Sequence, residues 1–143
     1  MRLINKISNG FIIIIIGILH TNFGISDGFS AQFAKFSQTN YYKISRGLDE
    51  LPAEIGKTNF EIFAAFWFFY FGILLIPLGF LVISLEKNRK MLPHSFTISY
   101  LIVILIGCYM IPNSGMTFIM LPHAVYMLII NYLKVKTYKK ELQ

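Results

Sequence analysis

The sequence predicts an all-α integral membrane protein, a four-helix transmembrane bundle with both termini cytoplasmic and a helical exoplasmic loop between helices one and two. Three observations carry this. The 143-residue chain is 55% hydrophobic and only 14% charged, whereas soluble domains carry roughly a quarter charged residues to cover their surface. Its apolar residues fall in four long runs. Its basic residues cluster where three of the five inter-run and terminal segments would share one side of a membrane. The length fits a single domain covering residues 1–143.

The first run, Ile4 to Phe23, contains five consecutive isoleucines and ends close to His20. The second, Phe60 to Leu85, is the longest; the third is Ser95 to Ile111 and the fourth Met116 to Leu133. A hydrocarbon core about 30 Å thick needs ~17–25 helical residues at ~1.5 Å each, and every run meets that. Isolated Gly and Pro inside them (Gly17, Gly72, Pro77, Gly79, Gly107, Pro122) are tolerated where neighbouring helices re-satisfy the freed backbone groups. A transmembrane barrel would show alternating apolar and polar residues, and these runs do not alternate.

Four spans place both termini and the Glu86–His94 loop together. That side holds nine of the 13 basic residues, among them Arg2, Lys6, Lys87 and Lys134, and the positive-inside rule makes it cytoplasmic. The basic tail then lies against anionic headgroups, so the net charge of +6 calls for no nucleic-acid partner. A cleaved signal peptide, cut near Gly28-Phe29-Ser30, is the rival reading of the first run; it would leave three spans and spoil the charge bias. Cys108 is the single cysteine, which rules out an intramolecular disulfide.

Residues 25–59 form the one long loop. Phe29, Phe33 and Phe36 recur at helical spacing, and Tyr41, Ile44, Leu48 and Leu51 form a second stripe. One or two short amphipathic helices on the membrane surface are expected.

Inside a bilayer, small residues mark helix contacts. Gly10, Gly17 and Gly24 repeat every seven residues, as do Ala65, Gly72 and Gly79. His20, three after Gly17 and four before Gly24, belongs to the inward stripe. Met116, Met120, His123 and Met127 share one face of the fourth run. His20 lies about 6 Å and His123 about 10 Å from the outer helix ends, with Tyr109, Cys108 and Trp67 near that level and Glu61 slightly above it. His94 is expected at the cytoplasmic interface.

Intramembrane histidines raise a functional expectation because ionisable residues are costly there. One reading is a metal or haem site. His20 and His123 would ligate haem, or Met116, Met120 and Met127 beside His123 and Cys108 would offer soft ligands for copper. The competing reading makes the methionines gap-fillers and gives each histidine an ordinary hydrogen bond. Glu61 suggests proton-coupled transport, against a T-x-x-E capping box of Thr58 and Glu61 that explains the carboxylate structurally. The aromatic block Phe63 to Phe71 either lines a lipid cleft or anchors the helix at the interface. No serine or cysteine stands in an activating arrangement with a base, so a catalytic residue is not expected.

The G-x-x-H of Gly17–His20 and the F-W-F-F-Y-F-G followed by P-x-G of the second run resemble bacterial families of small four-span membrane proteins of unknown function, and more loosely the DoxX-like families. The resemblance implies an inner-membrane bundle, with a link to respiratory or redox systems, and carries over no catalytic residue. The leading expectation is a non-enzymatic membrane protein that binds or supports a larger membrane complex or a lipophilic ligand. The alternatives are a redox protein holding haem or copper between His20 and His123, and a small transporter using Glu61. Other membrane subunits or a second copy of the chain are the expected partners.

Overall fold

The computed structural model describes residues 7–26, 60–89 and 91–141. They form four helices and no strand: α1 (Asn9–Gly24), α2 (Phe60–Arg89), α3 (His94–Met110) and α4 (Leu121–Glu141), the last entered through a π-helical turn, Met116–Met120. The expected helices of the 25–59 loop lie outside the described residues, as does Thr58.

Two stretches, Phe66–Asn88 and Met116–Lys136, are long and apolar enough to cross a membrane. Only 22% and 28% of their apolar windows is buried, unlike the core helix of a soluble protein. The other two helices are apolar but shorter, 16 residues in α1 and 17 in α3, or about 24–26 Å. The first of these departs from the expected start at residue 4. Ser8 ends the helix there: its Oγ accepts the Phe11 N–H at 3.4 Å and its carbonyl accepts the Ile12 N–H at 3.2 Å, an N-cap that satisfies donors the helix itself leaves open.

Two prolines shape the long helices. Pro77 sits inside α2 and removes the hydrogen bond that would reach the Ile73 carbonyl. Pro122 follows the π turn. It has no N–H for the Phe118 carbonyl and its ring would crowd that oxygen, so the preceding turn widens and the Leu121 N–H bonds Met116 O instead. At the far end of α3 the Ile111 N–H closes on Gly107 O at 2.9 Å, and Pro112 stops the helix.

The chain divides into two compact units, one of residues 1–16 and 77–143, the other of residues 17–76. In the first, α1 and α2 meet at glycine: a Cβ on Gly79 would lie 2.6 Å from Gly10 O and 3.0 Å from Ile14 N, and a Cβ on Gly10 would collide with Gly79 O. In the second, the same two helices meet at Gly17 and Gly72, where a Cβ on Gly17 would be 2.8 Å from Gly72 O. The backbones are in contact, which only hydrogen side chains allow. The isoleucine run divides accordingly: Ile13 and Ile16 are buried, while Ile15 and Ile18 face outward.

The core of the first unit is small. It contains Ile13, Val82, Ile104, Met120, Ala124 and Met127, and with them the polar residues Asn9, Thr97, His123 and Asn131. The exterior is strongly apolar: Val103, Phe80, Phe118 and Met110 are all more than 60% exposed.

Candidate functional site

Three polar constellations lie within the first unit, each built from neighbouring helices. At the start of α1, Ser8 donates its hydroxyl to Glu86 Oε2 at 2.5 Å, and Asn9 donates its Nδ2 at 2.7 Å and its backbone N–H at 3.3 Å to Glu86 Oε1. The carboxylate thus answers the open N-terminus of α1 twice over, by hydrogen bonding and by its charge against the helix dipole. Asn9 is buried, and its Oδ1 finds no hydrogen-bond partner among the described residues.

The second constellation ties the α2–α3 turn to α4. Asn131 accepts the Leu92 N–H and donates to the Leu92 carbonyl, both at 2.8 Å, while its Nδ2 also approaches His94 Nδ1 at 3.4 Å. A side-chain amide here completes the hydrogen bonding of a backbone unit that has left the helix.

The third is the most unusual. His123 is only 6% exposed, and neither Nδ1 nor Nε2 has a hydrogen-bond partner among the described residues. Its ring stands edge-on to Tyr100 of α3, with centroids 5.9 Å apart, and the buried Tyr100 hydroxyl is likewise unpartnered. Most buried polar groups in folded proteins are hydrogen-bonded. Beside them Thr97 is fully buried but satisfied, its hydroxyl donating to His94 O at 3.1 Å. Met120 at the end of the π turn and His123 and Met127 of α4 are all buried, and the Glu86 carboxylate lies within electrostatic reach of the His123 ring.

His20 belongs to the other unit, in a different setting. It is half-buried, stacked on Phe68 with centroids 3.7 Å apart, edge-on to Phe71 at 5.5 Å, and hydrogen-bonded to the Phe68 backbone. The remaining candidates are spread out. Met116 lies half-buried with its sulfur over Gly107, 2.6 Å from where a Cβ there would be. Cys108 is a half-buried free thiol and Tyr109 is 89% exposed. The Glu61 side chain lies outside what is described. Trp67, Tyr70 and Phe71 of the aromatic block are turned outward. Among the described residues, no three His, Cys, Asp or Glu side chains come together as a metal site.

Glu86, Tyr100 and Asn131 are the residues that the sequence reading passed over. Two of them extend a periodic stripe already visible: Glu86 follows Gly72 and Gly79 at the same interval of seven, and Asn131 follows Met127 by four.

Fold and sites together define, among the described residues, an all-helical arrangement with two candidate membrane spans and polar clusters between neighbouring helices. The chain belongs to the family of unknown function DUF6463, whose model matches residues 5–134. Comparison with curated proteins and with solved structures gives no match.

Proposed function

We propose that this chain is a small four-span membrane protein of non-enzymatic type, with both termini cytoplasmic, that binds or supports a larger membrane complex or a lipophilic ligand. The observation that carries the reading is an inverted distribution of polarity. Asn9, Thr97, His123 and Asn131 are buried, while Phe80, Val103, Met110 and Phe118 are exposed. Water would favour the reverse, because large contiguous apolar surface is rare on soluble monomers. In lipid, outward apolar side chains cost nothing, and polar side chains belong between helices. The 16 and 17 residues of α1 and α3 cross a bilayer that thins locally or whose flanking side chains snorkel.

Such a bundle presents its whole flank to lipid or to other transmembrane helices. Trp67, Tyr70 and Phe71 form an aromatic outer face suited to the interfacial zone. The test is purification from the native host in mild detergent, followed by native electrophoresis and organic extraction. The expected result is a discrete assembly larger than one 16.5 kDa chain in its detergent belt, or a lipophilic compound retained in stoichiometric amount. A lone chain carrying only bulk phospholipid contradicts the proposal.

A further inference from the structure

Beyond that reading, and independently of which side of a membrane it faces, we propose that His94 is a proton-operated latch on the turn that leads into α3. The neutral ring closes on the Asn131–Leu92 pair, and the protonated ring releases it. The starting point is the orientation of the Asn131 amide. Its Oδ1 accepts the Leu92 N–H and its Nδ2 donates to the Leu92 carbonyl, both at 2.8 Å. Turning the amide over would set oxygen against oxygen and N–H against N–H, so the place of the nitrogen is fixed. The second hydrogen of that nitrogen is left for His94 Nδ1, 3.4 Å away. An amide N–H only donates, so Nδ1 must accept, and the latch holds the neutral imidazole with its proton on Nε2. Leu92 and Asn131 are buried, at 4% and 3% exposure, while His94 is exposed. The ring thus stands where protons from water reach it and borders a hydrogen-bonded pair that water does not reach.

Protonation turns Nδ1 into a donor aimed at a donor. It also places a cation on the first residue of α3, where the open N–H groups and the helix dipole already carry positive charge. No acidic residue lies in the first turn of α3 to offset it. Among the described side chains, the charged groups at this end of the neighbouring helices are Glu86 and Lys87 of α2 and Lys134 and Lys136 of α4. Three of these four are cationic, and the Glu86 carboxylate is already engaged by Ser8 and Asn9. The charged ring is therefore favoured only when it swings away into water, and Asn131 then loses the contact that holds the outer side of its amide. Histidine is the side chain that ordinarily changes charge between pH 5 and 8, so the latch is shut at the upper end of that range and open at the lower end. What it controls is the tie between the α2–α3 turn and α4, which joins residues 39 apart in the chain.

The test is amide hydrogen exchange of the full chain in mild detergent, read residue by residue by NMR and expressed as protection relative to an unstructured peptide at the same pH. Between pH 8 and pH 5 the protection of the Leu92 amide should fall several-fold, up to about tenfold, the equivalent of one hydrogen bond. That of the buried Ile104 amide in α3 should stay level. His94→Gln supplies an uncharged acceptor at every pH and should keep Leu92 protected throughout. His94→Lys, always a charged donor, should leave Leu92 weakly protected at both ends. His20 and His123 are intact in both variants, so a fall that persists in His94→Gln belongs to them and overturns the proposal. Constant protection of Leu92 in the parent chain overturns it as well, and so does an equal loss at Ile104, which would report opening of the whole helix. The parent measurement stands even where a variant does not fold.

Discussion

Replacing Gly79 with leucine should separate α1 from α2 and produce the largest loss of stability of any single change in the first unit. The first added carbon alone would sit 2.5 Å from Ile14 Cγ1, 2.6 Å from Gly10 O and 3.0 Å from Ile14 N. Two of those three atoms are backbone, so no side-chain rotation relieves the clash. The helices must move apart, and the packing that surrounds the contact, Ile13 and Val82 included, goes with it. Overpacking of a tight core commonly costs about 1–3 kcal/mol and sometimes more; here the upper end applies, with Gly79→Ala following at the lower end. Gly10→Ala should behave like Gly79→Ala, since its Cβ would meet Gly79 O, Ile83 N at 2.6 Å and Ile83 Cγ1 at 2.7 Å. The control is Gly115→Ala. Nothing lies within 4 Å of a Cβ there, and the residue has ordinary right-handed helical angles. Thermal unfolding in detergent should rank Gly79→Leu far below Gly79→Ala, with Gly115→Ala indistinguishable from the parent.

The second large effect is expected from Glu86→Ala. Three donors converge on that carboxylate: the Ser8 hydroxyl, Asn9 Nδ2 and the Asn9 N–H. Hydrogen bonds to charged groups contribute about 1.5–3 kcal/mol each. They are not additive, and water reaches a half-buried site, so a total loss of about 2–4 kcal/mol is the reasonable expectation. Removing the side chain also strips the N-terminus of α1 of its counter-charge. Glu86→Gln separates the two contributions. It retains one acceptor oxygen and loses the charge, so it should fall between the parent and Glu86→Ala in an unfolding titration. Equal stability of all three proteins would mean that the start of α1 is held by something other than this carboxylate.

The helix content of the described residues and the inward glycine faces of α1 and α2, though not their pairing, were legible because each rests on one simple cause. Long apolar runs form helices, and the seven-residue spacing of Gly10 and Gly17 against Gly72 and Gly79 permits backbone contact wherever two helices run antiparallel. Of the stripe Met116, Met120, His123 and Met127, the last three are buried and Met116 is half-buried. Helix ends were harder. The apolar run continues N-terminal to Ser8, but the serine caps the helix and overrides hydrophobicity. Glu86 was read as part of a charged cytoplasmic loop because Lys87 and Arg89 follow it, although its interval from Gly79 puts it on the packed face of α2. Tyr109 was grouped with His123 by depth alone. Nine residues separate it from Tyr100, which is two and a half turns, so the two tyrosines face opposite ways, and Tyr100 is the one beside the histidine. Depth without rotation cannot choose between them. Asn131 continues the stripe four residues after Met127, but its partner, the backbone of Leu92, is 39 residues away and has no local signal.

The most direct test of the account is whether the two short helices cross the bilayer. In a Cys108→Ser background, single cysteines at Ser26, Met91 and Asn113 lie just beyond α1, α2 and α3, and one at Lys136 marks the end of the apolar stretch of α4. Intact cells are treated with a membrane-impermeant thiol reagent, and the labelling is repeated after lysis. With four spans, Ser26→Cys and Asn113→Cys are labelled from outside, and Met91→Cys and Lys136→Cys are labelled only once the membrane is broken. Met91→Cys and Asn113→Cys reacting from the same side would show that α3 does not span, and would contradict the four-span arrangement.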